Sequence, residues 1–263
     1  MNMWKECKSL QEELVKTRRE LHQIPEFGFD LPKTQAYVIR ILEELEIPYK
    51  CSSKDSGIIA EIKGEKPGKT VALRADMDAL KIQEENDVDY KSIHDGFMHA
   101  CGHDTHITML LGAAKILNQH KEDLQGTVRL LFQTAEELAK GSQVMIEEGG
   151  MDNVDAVFGQ HIGSIMNKDI PSGKVIIVPG CCMASYDRFS IKVNGHGCHG
   201  STPEKGIDPV NIASHIVIAL QEIIAREVSA VKPAVITIGM IHGGVAYNAI
   251  PSIVEIEGTI RDL

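Results

Sequence analysis

The sequence predicts an α/β chain, with a mixed, largely parallel central sheet followed by a smaller α+β domain. Three observations carry this reading. Between residues 57 and 161, β-branched apolar runs alternate with helical stretches, the order of a sheet with helices packed on it. Three of these runs end in metal-type side chains: Asp76, the pair Glu136-Glu137, and His161. In open sheets of this kind, ligands sit beyond the carboxyl ends of the strands. After Pro179-Gly180 the order becomes β, α, β, β, which fits one helix on a small antiparallel sheet. A boundary near 184 gives domains over 1–184 and 185–263.

Residues 8–22 read as a helix, with Leu10, Leu14, Val15 and Leu21 on one side. A second helix is expected from Pro32, a good first-turn residue, to Leu45, stopping before Pro48. Strands over 57–62 and 70–75 flank the turn Gly64 to Gly68. The polar stretch 81–97 reads as a loop over a site, and a helix over 104–119 follows, with Asp104 as its N-cap. Strand 126–132, a short helix over 140–148 and strand 154–159 complete the first domain. In the second, strand 188–193 leads to the glycine-rich loop Gly195 to Pro203, a helix over 208–226 with Pro209 in its first turn, and strands over 234–241 and 252–261.

Composition narrows the classes of function. Hydrophobic content of 43% and charged content of 24% suit a soluble globular protein. A net charge of −10 without a basic cluster argues against a nucleic-acid partner. No apolar run approaches the ~20 residues that span a membrane, and the polar start from Met1 to Gln11 shows no secretory signal. Cysteines at 7, 51, 101, 181, 182 and 198 have no framework spacing, so reduced thiols in a cytoplasmic protein are expected.

The chemistry concentrates in Met98-His99-Ala100-Cys101-Gly102-His103-Asp104-Thr105-His106. Three imidazoles so close together are poor core material, because each ring nitrogen needs a partner. A capped helix start explains only Asp104. A metal nest explains more: thiolate and imidazole two residues apart can face one ion on an extended backbone, and both suit zinc or a neighbouring transition metal. Glu136-Glu137 stand directly after a buried strand, where two like charges are costly unless something positive lies beside them. One glutamate can hold a metal while its neighbour takes a proton from water. His161, at another strand end, reads as a further ligand. Together these residues suggest two ions sharing a ligand, a site suited to hydrolysing an amide or related acyl bond. His99, His106, Asp76 and Asp78 are candidates for supporting the ligands. His22, His94, His120, His196, His215 and His242 read as ordinary.

Arg74 to Leu80, Met98 to His106, Phe132 to Glu137 and Gly195 to Pro203 resemble, in order, the bacterial and plant N-acyl-amino-acid amidohydrolases. These belong to the two-metal aminoacylase and carboxypeptidase superfamily, with hippurate hydrolase, N-acetyl-diaminopimelate deacetylase and indole-acetyl-amino-acid hydrolase among the members. The resemblance implies a zinc-peptidase-like catalytic domain carrying an inserted lid that forms a homodimer. It implies two divalent ions, zinc or manganese, with nickel and cobalt as further candidates. By position, Cys101 resembles the metal-bridging thiolate, His103, Glu137 and His161 resemble metal ligands, and Glu136 resembles the general base. His199 stands where the lid supplies a histidine to a neighbouring subunit's site. Asn248 and Arg261 stand where lids hold the substrate carboxylate, a task suited to the planar guanidinium fork.

Thr134 and Lys81 occupy positions where proline is usual, and neither is expected to touch the metals. Family members run on well beyond residue 263, so the chain is expected to end inside the lid, before a last histidine ligand. The expected activity is release of an amino acid and a carboxylic acid from an N-acyl amino acid. The alternative is a non-catalytic, metal-binding or dimerising remnant. A third reading makes Cys101 a nucleophile with His103 as base, and is disfavoured.

Overall fold

A computed structural model describes residues 3–163, 171–177, 179–181 and 183–263. The chain divides into two compact units, Met1–Ile170 and Pro171–Leu263. The sequence had suggested a boundary at 184; residues 171–184 carry no helix or strand among those described. Cys182 lies outside the described residues; the other five cysteines are free.

The first unit is built on a five-stranded sheet. Its strands are β1 (Tyr49–Cys51), β2 (Ile58–Lys63), β3 (Lys66–Asp76), β4 (Gln125–Gln133) and β5 (Ala156–Gly159), in the order β1-β2-β4-β3-β5. The β3–β4 and β3–β5 pairs are parallel, whereas β1–β2 and β2–β4 are antiparallel. The sheet is therefore mixed, and its parallel part delivers the site. Asp76 lies opposite Gln133 and Arg74 opposite Gly159, so β3, β4 and β5 finish along one edge.

Strand β4 explains its own apolar run. Leu130 and Phe132 enter the main core, while Leu131 between them packs on the opposite face with Ala72 and Met145. A strand buried on both faces cannot alternate with polar residues. On the main face, helices α2 (Gln11–His22), α3 (Pro32–Glu44) and α4 (His103–Gln119) contribute Leu21, Val38, Leu42, Ile107, Leu110, Leu111 and Ala114. Burying each of the larger side chains contributes ~1.5–3 kcal/mol. Helix α5 (Gly141–Glu147) brings Met145 to the other face.

Two helix starts differ from expectation. The helix expected over 8–22 is broken: α1 covers Met3–Ser9 and α2 begins at Gln11. The Ser9 hydroxyl donates to the Glu6 carbonyl at 2.7 Å, a local bond that competes with continuing the helix. Helix α4 begins at His103 after Gly102, and Asp104 is not its N-cap. The Asp104 carboxylate turns instead into the protein, where Arg18 and His22 claim it at 2.9 and 2.7 Å.

The second unit has the expected α+β order. Strands β6 (Asp187–Asn194), β8 (Ala234–Gly243) and β10 (Ile253–Asp262) form an antiparallel sheet in the order β6-β10-β8. The pair β7 (Cys198–His199) and β9 (Ala249–Ile250) makes a small separate ribbon. Helix α6 (Pro209–Glu222) is capped by Asp208, whose carboxylate accepts from the N–H groups of Val210 and Asn211. It stops earlier than residue 226 and passes into a π turn over Ile223–Glu227. Val193, Ala213, Val254 and Ile256 form this unit's core. Among the described residues, no helix is long and apolar enough to cross a membrane.

Candidate metal centre

The carboxyl edge of β3, β4 and β5 gathers the residues singled out in the first unit. Cys101, His103 and His161 offer ligand atoms within 4.8 Å of one another, and so do His103, Glu136 and Glu137. His103, shared by both groups, is fully buried. Its Nδ1 lies 2.7 Å from the Asp78 carbonyl oxygen, which can only accept. Nδ1 therefore carries a proton in either charge state, and Nε2 is the nitrogen left for an ion. Burial pulls the ring's pKa down, but Asp78 and Asp76 outweigh it and raise it, so without an ion Nε2 tends to hold a proton that a metal would replace.

His103 Nε2 has no hydrogen-bond partner, and neither does the buried Oε1 of Glu137, 3.8 Å away. An unpartnered imidazole nitrogen and an unpartnered carboxylate oxygen, both buried and 3.8 Å apart, leave space for a cation between them. A divalent ion fits this donor set.

The Cys101 thiol points the same way. Its Sγ is 3.2 Å from His161 Nε2. Burial, reinforced by Glu137 and Glu136, pushes the thiol up to about 12. A bound divalent ion would reverse this, since a coordinating thiol loses its proton. The approach of Cys101 to His103 does not come from an extended backbone, as the sequence suggested. Gly102 between them is left-handed, with φ of 89°, and this curls the segment so that both side chains serve one site. The His99 carbonyl accepts from the Gly102 N–H at 3.3 Å. The His99 ring is wholly buried and driven to about 4 by that burial, so it is neutral and stands outside the donor groups.

The two glutamates differ in exposure. Glu136 has 37% of its side chain exposed and Glu137 18%, and each sends an oxygen to 3.8 Å from His103 Nε2. Burial raises the Glu136 carboxyl above its ordinary range; Glu137 and Asp76 add to this against the pull of His103. Ala135 before the pair has φ of 48°, an uncommon conformation for a residue with a Cβ. Asp78 fixes the turn, its carboxylate accepting from the Glu136 and Glu137 N–H groups at 2.9 and 3.1 Å.

Asp76 anchors another part of the site. It accepts from His106 Nδ1 at 2.5 Å and from Arg74 at 2.6 Å. Burial alone would raise its carboxyl; these partners and His103 instead hold it at about 2. Asp76, His103 and His106 form a third group compact enough for an ion. Thr134 and Lys81 stay clear of the donor groups: the Thr134 hydroxyl donates to Asp55 and the Lys81 ammonium lies 4.5 Å above the Phe27 ring.

In the second unit, His199 is exposed on β7, with Nδ1 2.7 Å from the Ser201 hydroxyl. It pairs across the ribbon with Ala249, next to Asn248, whose carbonyl accepts from Gly200. Arg261 lies on β10 with its guanidinium over Tyr186, 4.9 Å from the ring centroid.

The sequence reading missed one cluster. His22, taken as ordinary, is buried between Asp104 and Glu84, and Arg18 shares Asp104 with it. The available signal was a histidine in the last turn of α2, one residue after the core residue Leu21.

Residues 72–259 match the model of the peptidase family M20/M25/M40. The chain belongs to this family. It is 43% identical to an N-acetyl-L-cysteine deacetylase of Bacillus subtilis, over 96% of this chain and 60% of that protein. It is 44% identical to an N-acyl-L-amino acid amidohydrolase of Geobacillus stearothermophilus, over 95% of this chain and 66% of that protein. Among solved structures, a dinuclear metal-binding peptidase of the M20 family from Bacillus subtilis matches with a TM-score of 0.80 and 39% identity, over 97% of this chain and 65% of that one. The chain thus spans about two thirds or less of the length of these relatives.

Proposed function

We propose that this M20-family chain belongs to a metal-dependent amidohydrolase that cleaves the amide bond of N-acyl amino acids, releasing the amino acid and a carboxylic acid. The observation that carries the reading is the convergence of two buried, unpartnered ligand atoms, His103 Nε2 and Glu137 Oε1, beside Cys101 and His161. The names of the relatives support the substrate class.

In this reading Cys101, His103, Glu137 and His161 would hold two divalent ions, with Cys101 as the thiolate common to both. Thiolate and imidazole donors favour zinc and carboxylate donors accommodate manganese, with nickel and cobalt as further candidates. Bound ions would supply the positive charge that polarises the scissile carbonyl and acidifies water. Glu136, the more exposed of the pair, takes the proton from the attacking water and passes it to the departing amine. His199 steadies the developing oxyanion in a partner subunit, and Asn248 and Arg261 hold the substrate carboxylate. The homodimer forms through the lid, where β8 is an edge strand with Val235, Met240 and Ile241 exposed. The protein works in the cytoplasm without nucleic-acid or membrane partners.

The test is hydrolysis of a panel of N-acetyl amino acids by the protein loaded with zinc or manganese, before and after chelation. Metal-dependent turnover is expected. Tight binding of two ions without turnover would favour the non-catalytic, metal-binding reading instead. Turnover that survives complete removal of metal would return attention to Cys101 as a nucleophile.

A further inference from the structure

His106 is buried, and each of its ring nitrogens has a defined partner. Nδ1 lies 2.5 Å from Asp76 Oδ1, and the second oxygen of that carboxylate is held by Arg74. Nε2 lies 2.9 Å from the backbone nitrogen of Ile162, which can only donate. Nε2 must therefore be bare, and the proton sits on Nδ1, facing the carboxylate. With both nitrogens engaged, His106 has no lone pair left for an ion, although it stands within reach of one with Asp76 and His103.

Ile162 follows His161 on the loop after β5. That strand has four residues, all exposed, and it stands at the edge of the sheet. The loop is also held by Gln160, whose Nε2 lies 2.9 Å from Met109 Sδ, and by His161, 3.2 Å from Cys101 Sγ. The His106 and His161 rings meet edge to face, with centroids 4.8 Å apart. The Ile162 side chain lies over Gly102, close enough that a Cβ there would stand 2.6 Å from Ile162 Cδ1. Residue 162 is thus pinned at its amide by His106 and packed against the turn between Cys101 and His103.

We infer that His106 is a positioning residue for His161: Asp76 locks it into the Nδ1–H form, and its bare Nε2 grips the Ile162 amide and so sets the loop that presents His161. This rests on the reading of His161 as a metal ligand. It differs from a packing role because it assigns the work to one nitrogen, the one facing Ile162.

The test compares His106→Gln, His106→Asn and His106→Leu. A glutamine side chain can place an acceptor near the Nε2 position. Asparagine can replace only the donor to Asp76, and leucine replaces neither. Metal affinity is read by titration with cobalt, following the visible bands of the bound ion. The asparagine and leucine variants are expected to bind one of the two ions ~10- to 100-fold more weakly, the range for losing a residue that orients a ligand, and glutamine to restore most of the loss. Equal affinity in all three, or rescue by asparagine rather than glutamine, would overturn the inference. A second measurement needs no variant. Nitrogen NMR of the metal-free protein should show His106 protonated at Nδ1 and the Ile162 amide coupled to Nε2; a proton on Nε2 would overturn the inference. Absence of metal binding by the unaltered protein would instead count against the proposed function, and the NMR result would then decide the His106 assignment by itself.

Discussion

The carboxylate of Asp78 accepts the backbone N–H of Glu136 at 2.9 Å, and its other oxygen accepts from Glu137 at 3.1 Å. The Asp78 carbonyl meanwhile accepts a hydrogen bond from His103 Nδ1. One fully buried residue therefore orients both glutamates and the imidazole shared by all three donor groups. Asp78→Asn keeps the size but turns an NH₂ toward a backbone N–H. An unmatched buried donor typically costs ~1–3 kcal/mol. We expect a loss of that order in urea unfolding of the metal-free protein, with metal affinity falling ~10- to 100-fold. Unchanged affinity by titration would mean that the glutamate turn holds without Asp78.

Glu136→Gln separates the two glutamates. The amide retains the shape but cannot take a proton from water. Removing a general base typically lowers turnover ~10²- to 10⁴-fold. Metal analysis should show the same content as the unaltered protein. If metal is lost together with turnover, Glu136 is a ligand and the roles of the pair are exchanged.

Much of this centre was legible before any coordinates, for a physical reason. Asp76, Glu136, Glu137 and His161 follow strand-type runs directly, and parallel neighbours bring such ends to one edge. What stayed hidden depended on partners distant in sequence or on backbone conformation. Asp104 looks like a helix cap locally; its burial follows from Arg18 and His22, more than eighty residues earlier. The approach of Cys101 to His103 depends on a left-handed Gly102, which a motif does not display. The sequence offers His106 and Asp76 only as candidates for supporting the ligands. That they act on residue 162 requires knowing how the loop after β5 folds back.

Gly102→Ala tests the turn. A left-handed conformation costs an L-residue ~1–2 kcal/mol, and the new methyl would also meet Ile162 Cδ1 at 2.6 Å. Ile162 Cγ1 would stand at 2.8 Å as well, so the whole Ile162 side chain must shift in addition to the backbone cost. The variant should unfold at lower urea and bind metal more weakly, because relaxing φ away from 89° would swing Cys101 from His103. Full metal affinity in a folded Gly102→Ala protein would show that the donors tolerate another turn.

His22 gives a pH dependence with a definite sign. Asp104 and Glu84 face its two ring nitrogens, with Arg18 on the same Asp104 oxygen as His22 and the rings of Tyr90 and His99 alongside. Burial pulls the His22 pKa down, but Asp104 and then Glu84 outweigh it and raise it above 6.5. A group whose pKa is raised on folding contributes stability fully below its unfolded value and loses it as pH climbs through the folded one. Glu84 has the opposite sign. Burial would raise its carboxyl, yet hydrogen bonds from Ser92, Asn86 and His22 set it below 4.5, so its contribution fades only as pH falls through that lowered value. Between about 4.5 and 6.5 both contributions are complete. In metal-free protein, His22→Gln should therefore be most destabilising in this window, by ~1.5–3 kcal/mol for hydrogen bonds to charged partners. The gap to the unaltered protein should narrow as pH rises past the folded pKa of His22. Urea unfolding of both proteins across the range measures it; a gap that stays constant with pH would mean that His22 is held neutral between its two carboxylates.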